Sequence, residues 1–348
     1  MNFRKKIKKY NNKYRYSYTK LKRKYRNKEK KRKYIKKKYN NISKVFKLLL
    51  IIILSILLFI LIYINKSQIN KIKVCLCTLG KQENRYIKEY VEHYKKYGVD
   101  KIYLYDNNDV NGEKFEEVIS DYINEGFVEI LNWRGRKFQI YNIMNDCYRK
   151  NNANYDWLLF YELDEFIYLR NYTNIKSFLH QNKFKGCQLI YLNMICHTDN
   201  NKIYYENKSL AERFPERVPR TKYLGKNLEI KSIIRGNITN MKIENMHTIT
   251  NKFINCNGYG NKNKNLIFFS TEPDFDYYYI NHYYSKSTEE FINKINRGDA
   301  FSTSTEYIMQ RIEKYFNQSI MTLEKIEMIE KGIKLDLSKF KKSLNNNI

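Results

Sequence analysis

Within "LLFYELDEFIYL", residues 158–169, an apolar run of strand character takes up three carboxylates, Glu162, Asp164 and Glu165. Side chains alternate across a strand, so a continuous strand would project Glu162 and Asp164 from one face and Glu165 from the other. Two acids on one face could share a cation. Hard divalent ions such as Mn²⁺ or Mg²⁺ take carboxylate oxygens with few protein ligands and let substrate phosphates complete the shell. Asp164 is the expected ligand, with Glu162 assisting directly or through water. Glu165, facing the other way, is expected to hydrogen-bond neighbouring backbone or an arginine and to be structural.

Those acids need a sheet to hold them, and the surrounding sequence supplies one. "KVCLCTL" (73–79), "KIYLYD" (101–106), "FVEIL" (127–131) and "DWLLFYELDEF" (156–166) read as strands. Between them, "RYIKEYVEHYKKYG", "EKFEEVISDYINEG" and "KFQIYNIMNDCYRKN" have helical periodicity, with Ile87, Val91 and Tyr94 on one face and Gly98 and Gly126 as stops. Strand and helix alternating in units of about 30 residues imply right-handed crossovers and a Rossmann-type, mostly parallel sheet flanked by helices. Ligands bind such sheets at the carboxyl ends of the strands, where Asp106, Glu162 and Asp164 all fall. Beyond residue 170 the pattern is irregular, with short strands expected at 187–192 and 230–235. "STEEFINKINRG" opens with a capping box, Ser287 and Glu290, and residues 305–348 read as a charged helical tail.

The chain's formal charge of +29 is concentrated in one place: residues 1–44 hold 21 of its 65 Lys and Arg against a single acid, Glu29. This basic arm, rather than a nucleic-acid-binding domain, accounts for most of the excess, and no specific nucleic acid is expected as a partner. Next comes "VFKLLLIIILSILLFILIYI", residues 45–64, long enough at about 1.5 Å per residue to cross a bilayer. Its length and the lack of a small-residue cleavage site argue against a removable signal peptide. The heavier basic flank lies on the N-terminal side, which predicts a single-pass type II arrangement, with the arm cytoplasmic and the remainder lumenal. The six cysteines are too few for a disulfide scaffold at this size and have no zinc-site spacing, so Cys75 and Cys77 are expected as buried thiols.

Four passages in order carry a resemblance: "CLCTLGKQENRYIKEYVEHYKKYGVDKIYLYDNN", "FVEILNWRGRKFQIYN", "WLLFYELDEFI" and "INHYYSKSTEEFINKINRG". Together, over about residues 73–300, they resemble the family 92-type and related family 2-like glycosyltransferases, which share the GT-A fold. The first acid of the family's Asp-x-Asp is Glu162 here, and its Lys-Asn-Glu is "GKQEN". The resemblance implies a nucleotide-sugar-binding half at 73–170, after a stem at 65–72, and an acceptor-binding half at 171–304. It implies a UDP- or GDP-sugar donor contacted by Glu83, Asp106 and Gln139, and a glycan or glycoprotein acceptor. His282, in an aromatic strand, reads by itself as a core histidine; the resemblance makes it a third metal ligand beside Glu162 and Asp164. Lys286 would then meet the diphosphate and stabilise the leaving group.

Transfer with inversion also needs a carboxylate to take the acceptor's proton. Asp199 in "HTDNN" and Glu216 in "RFPERVP" are the candidates. Two other readings compete. A membrane-tethered binding or scaffold protein with a degenerate transferase fold would not need the acid pair, and a metal-dependent nucleotidyltransferase would keep the metal but lose the late His-Tyr and Lys-Ser-x-x-Glu-Phe elements.

Overall fold

A computed structural model describes residues 2–137, 139–219, 222, 228–244, 253–263, 269–270, 274–298 and 303–345. The chain forms two units, Met1–Gln68 and Ile69–Ile348. Residues 2–68 of the first are helical, as part of α1 (Asn2–Lys71). Within α1, Phe46–Lys71 contains an 18-residue stretch with a mean hydropathy of 3.1 and is long and apolar enough to cross a membrane.

The second unit begins with the expected alternation: β1 (Val74–Gly80), α2 (Asn84–Lys96), β2 (Lys101–Asp106), α3 (Glu116–Asn124), β3 (Val128–Asn132), α4 (Ile140–Asn151) and β4 (Trp157–Phe160). These strands pair in parallel in the order β3-β2-β1-β4, with Gly80 opposite Asp106 and Val74 opposite Trp157. Alternation along β1 explains why both faces are covered. Val74 and Leu76 pack with Ile87, Tyr90 and Val91 of α2 on one face, while Cys75 and Cys77 pack with Ile143 and Met144 of α4 on the other. Gly98, at φ +80°, closes α2 in the left-handed conformation expected of a glycine stop.

The remainder of the sheet is mixed. β5 (Glu165–Leu169), α5 (Ile175–Leu179), β6 (Leu189–Cys196), α6 (Leu210–Arg213), β7 (Leu228–Arg235), β8 (Asn255–Asn257), β9 (Lys262–Asn263), β10 (Phe269–Ser270) and β11 (Tyr278–His282) follow. The order continues β4-β7-β6-β11-β5, with β7 antiparallel to both β4 and β6, and β6 parallel to β11. The strands expected at 187–192 and 230–235 are β6 and β7.

α7 (Thr288–Asn296) starts at the capping box formed by Ser287 and Glu290. α8 (Thr305–Gln318), α9 (Leu323–Ile333) and α10 (Ser338–Asn345) form the helical tail. Ile312, Tyr315, Ile326 and Ile329 of this tail pack against Phe291 and Ile292 of α7 as a separate small core.

Two sequence expectations are corrected here. Residues 158–169 are not one strand: β4 stops at Phe160, the chain turns, and β5 runs antiparallel to β11 at the far edge of the sheet. The thiol expectation fails for Cys77, which forms a disulfide with Cys147 of α4, and Cys187 forms a second with Cys256 of β8. Cys75 is a buried free thiol as expected. The pairs lie 70 and 69 residues apart in sequence, so only the crossovers bring them together.

His93 on α2 ties that helix to β5. Its Nε2 lies 3.1 Å from the Ile167 carbonyl, and the ring stacks on Tyr97. Burial pushes its pKa down to about 4, so the folded protein holds it neutral. A folded pKa below the unfolded value of 6.5 gives stability that is complete above pH 6.5 and is lost as pH falls toward 4. Replacing it in His93→Gln, which can still donate to Ile167, is therefore expected to remove about 2 kcal/mol of the acid destabilisation between those pH values. Urea unfolding of both proteins from pH 7 to 4 checks this; parallel curves refute it.

Candidate active site

The turn between β4 and β5 builds the site. Glu165 N donates to the Glu162 carbonyl (3.0 Å), and Glu162 N donates back to Glu165 Oε2 (3.0 Å), so this one residue clamps the turn with backbone and side chain. Tyr90 donates to the Tyr161 carbonyl (3.0 Å) and Tyr94 to the Glu165 carbonyl (2.8 Å), both from α2. Buried carbonyls at a strand break need such partners. Glu165 is fully buried and lies 3.0 Å from Nζ of Lys231, which is also fully buried. The partners expected for Glu165 were backbone or an arginine; they are backbone and a lysine.

Although the turn breaks strand alternation, Glu162 and Asp164 still line the same cavity, while Glu165 is turned onto Lys231. Lys231 also reaches Glu162 (3.3 Å). Burial, with Glu162 and Asp164 adding to it, pushes the Glu165 carboxyl up to about 8 against the pull of Lys231.

Asp164 is the centre of the electrostatics. Its Oδ2 accepts from Lys286 Nζ (2.9 Å) and Lys294 Nζ (2.6 Å), and its Oδ1 lies 3.7 Å from His282 Nε2. Burial opposes its ionisation, but Lys286 and Lys294 outweigh that and hold the carboxyl well below its usual range. Burial drives His282 down to about 3, so its imidazole is neutral, and its Nδ1 is buried without a hydrogen-bond partner.

A neutral imidazole beyond hydrogen-bond reach of a carboxylate leaves both with ligand capacity, and this nitrogen and oxygen pair suits Mn²⁺. Among the described residues no group of three or more His, Cys, Asp and Glu is close enough to enclose an ion. Of the three expected ligands, Glu162 is paired with Lys231, which leaves Asp164 and His282 as the groups that could hold an ion whose shell is completed mostly from outside the protein.

Lys286 reaches Asp164 from a residue with φ +51°, a left-handed backbone uncommon for a side chain of this size. Its neighbours enforce this. Ser287 is the α7 N-cap, its partner Glu290 is held by Arg213 (2.7 Å), and Tyr86 donates to Glu290 (2.5 Å).

Two cavities share Lys294, and the acid pair lines one of them. The first, of about 130 Å³, lies at the carboxyl ends of β1 and β2, where Leu79 and Asn107 line it with Glu162 and Asp164. Six basic residues (Lys81, Arg136, Lys137, Lys294, Arg297 and Arg311) face three acids there, Glu83, Glu162 and Asp164. The second, of about 380 Å³, shares Glu83, Lys294 and Arg297 with the first and adds Lys286 and Tyr86. Glu83 thus lies between the two, paired to Arg297 (3.1 Å).

Other expected site residues are placed differently. Asp106 is buried, with Arg134 on Oδ2 (2.6 Å) and the Asn108 amide on Oδ1 (3.0 Å), so it shapes the loop from which Asn107 reaches the first cavity. Gln139 is the N-cap residue of α4; its amide donates to the Lys137 carbonyl (2.7 Å), and it lines neither cavity. Asp199 is wholly buried between Lys325 Nζ (2.5 Å) and the Tyr315 hydroxyl (3.1 Å), where it ties the helical tail to the sheet unit. Glu216 is exposed and lines neither cavity.

Sequence reasoning missed Lys231, Lys294, Arg297 and Arg311. A signal existed for two of them: Lys294 and Arg297 stand three apart just after the capping box, which puts them on one side of the helix end.

The chain belongs to glycosyltransferase family 92, whose model matches residues 70–320. It is 25% identical over 127 residues to a glycosyltransferase family 92 protein of Ricinus communis, a match covering 36% of this chain and 22% of that protein. A family 92 protein of Oryza sativa subsp. japonica is 24% identical over 126 residues, covering 36% and 21%. The match thus spans about a fifth of the length of these relatives. Among solved structures, S. aureus TarS 1-349 in complex with UDP-GlcNAc is similar, with a TM-score of 0.34 and 15% identity over 71% of this chain and 72% of that one.

The Lys231 bridge has a direct consequence. Lys231→Met leaves Glu162 and Glu165 buried or half-buried without their cation, and stability is expected to fall by about 3 kcal/mol. Adding Glu165→Gln should restore much of it, because the amide oxygen still accepts from the Glu162 N–H and the buried acid left without its cation is gone. Chemical denaturation of the single and double variants measures this; equal losses in both refute the pairing.

Proposed function

We propose that the protein transfers a sugar from a nucleotide-sugar donor, a UDP- or GDP-sugar, to a glycan or glycoprotein acceptor, with inversion and with Mn²⁺ or Mg²⁺ as cofactor. The observation that carries this reading is the first cavity, where basic groups outnumber acids two to one at the carboxyl ends of parallel strands, directly beside Asp164. A diphosphate is the group such a cavity would balance. Family membership supports the sugar-transfer class.

In this reading the acceptor oxygen bonds to the anomeric carbon as the bond from that carbon to the diphosphate oxygen breaks. The bonding electrons leave with the nucleoside diphosphate, and the acceptor proton passes to a carboxylate. Lys286, Lys294, Arg297 and Arg311 offset the charge that develops on the leaving group in a largely buried site. Asp164 and His282 would hold the divalent ion, which when bound supplies Lewis-acid stabilisation of the same leaving group. Of the two acids expected to take the proton, Glu216 is exposed, whereas Asp199 Oδ2 accepts from Lys325 and Tyr315 and its Oδ1 from the Asn201 amide. A scaffold reading has no use for a cation cluster converging on one carboxylate.

We also place the protein in a membrane as a single-pass type II protein with its sheet unit in a lumen. The apolar segment of α1 and the basic arm before it support this, as do the two disulfides of the sheet unit, since such bonds persist in oxidising compartments.

Hydrolysis of a panel of nucleotide sugars, with and without Mn²⁺, tests the activity. Asp164→Asn keeps the shape of the turn and removes a charge, so turnover is expected to fall by about 100-fold or more. Parent-like turnover in this variant would mean that the acid is only part of the turn. For the topology, protease added to sealed membranes should remove the basic arm and spare residues 69–348; digestion of the sheet unit in intact vesicles reverses the orientation.

A further inference from the structure

Two ammonium groups on one carboxylate oxygen make an unusual setting for a cation ligand. Lys286 and Lys294 both donate to Asp164 Oδ2, at 2.9 and 2.6 Å, and neither comes from the turn that carries the acid. Lys286 is almost fully buried and held by the strained link before α7, with its Nζ 4.9 Å from the centre of the Tyr86 ring. Lys294 comes from within α7, is 15% exposed at its side chain, and lines both cavities. Asp164 brings one negative charge and faces two positive ones. A divalent ion arriving alone on this carboxylate meets net repulsion at short range, in a site where charges are weakly screened. An ion arriving with a nucleoside diphosphate does not, because the diphosphate supplies several negative charges that the same two lysines can take.

We propose that Lys286 and Lys294 make divalent-cation binding conditional on the nucleotide: they pair with Asp164 in the free protein and transfer their pairing to the diphosphate when donor and cation bind together. Lys294 is the residue that moves, since it is partly exposed and reaches both cavities, whereas Lys286 is fixed by its backbone and by the α7 cap. This rests on the nucleotide-sugar reading given above. The coupling is reciprocal, so the factor by which nucleotide tightens the ion equals the factor by which the ion tightens nucleotide.

The test uses the full-length protein in detergent, with calorimetric titrations of Mn²⁺, UDP and GDP, each alone and in pairs. For the parent protein, Mn²⁺ is expected to bind at least about tenfold more tightly when one of the two diphosphates is saturating. Lys294→Gln is expected to shift the two ligands in opposite directions. Mn²⁺ alone binds about tenfold tighter because a like charge is gone, while the diphosphate alone binds about tenfold weaker because a partner is lost. Lys294→Arg, which keeps the charge, should stay close to the parent in both. A purely structural lysine would weaken both ligands or neither, and either result overturns the proposal, as does an absence of coupling in the parent, which requires no variant to detect. If neither UDP nor GDP binds the parent with or without Mn²⁺, the nucleotide-sugar reading falls too. If a diphosphate binds and Mn²⁺ has no effect on it, that reading stands and the conditional cation does not.

Discussion

The second unit is organised around one break in a strand. Between Phe160 and Glu165 the chain leaves the parallel centre of the sheet and passes to its far edge, and the backbone groups exposed by this departure all need partners in a buried place. Tyr90 and Tyr94 satisfy two carbonyls from α2, and the Glu165 side chain satisfies the amide of Glu162. The Tyr283 amide, just after β11, takes the Asp164 carbonyl (2.9 Å). A helix, two strands and the turn itself are therefore joined at the point where Glu162 and Asp164 emerge. The same hydrogen bonds that let the chain change strands place the acids in the cavity wall.

Around that break, charge is balanced by groups from distant parts of the chain. β7 supplies Lys231 to the inner side of the turn, while the link into α7 supplies Lys286 and α7 itself supplies Lys294 to the outer side. Buried acids left unpaired would protonate or destabilise the fold, so these lysines are required for the turn to carry negative charge at all. Their placement also sets the chemistry, because a carboxylate compensated by ammonium groups, one of them on a partly exposed side chain, can exchange that partner for another. A second buried pair, Asp199 with Lys325, performs only the first of these tasks: it joins the helical tail to the sheet unit and encloses the acid.

The two disulfides act at the same level. Cys77 to Cys147 fastens the first strand to the helix that precedes β4, and Cys187 to Cys256 fastens the entry of β6 to β8. Closing loops of about 70 residues restricts the unfolded chain and adds stability to strands whose neighbours are far away in sequence. The first of these bonds fastens the strand whose carboxyl end, at Leu79, lines the first cavity.

The amino-acid sequence alone determined the features that depend on near neighbours. Period-two and period-3.6 patterns marked β1 through β4 and α2 through α4, the Ser287 and Glu290 pair marked the start of α7, and composition marked the basic arm and the apolar segment after it. The ordered motifs around Glu162 and Asp164 also placed the chain in its family before any contact was known. What the sequence could not show was which groups meet across long separations. Asp164 and Lys294 are 130 residues apart, Glu165 and Lys231 belong to strands that are not adjacent in the sheet, and each disulfide joins segments that no local pattern connects. Even the strand break at residues 161–164 escaped local reading, because alternation of apolar and acidic residues continues through it unchanged. Its position is set by Tyr90, Tyr94 and Lys231, and those partners are in place only once the crossovers have closed.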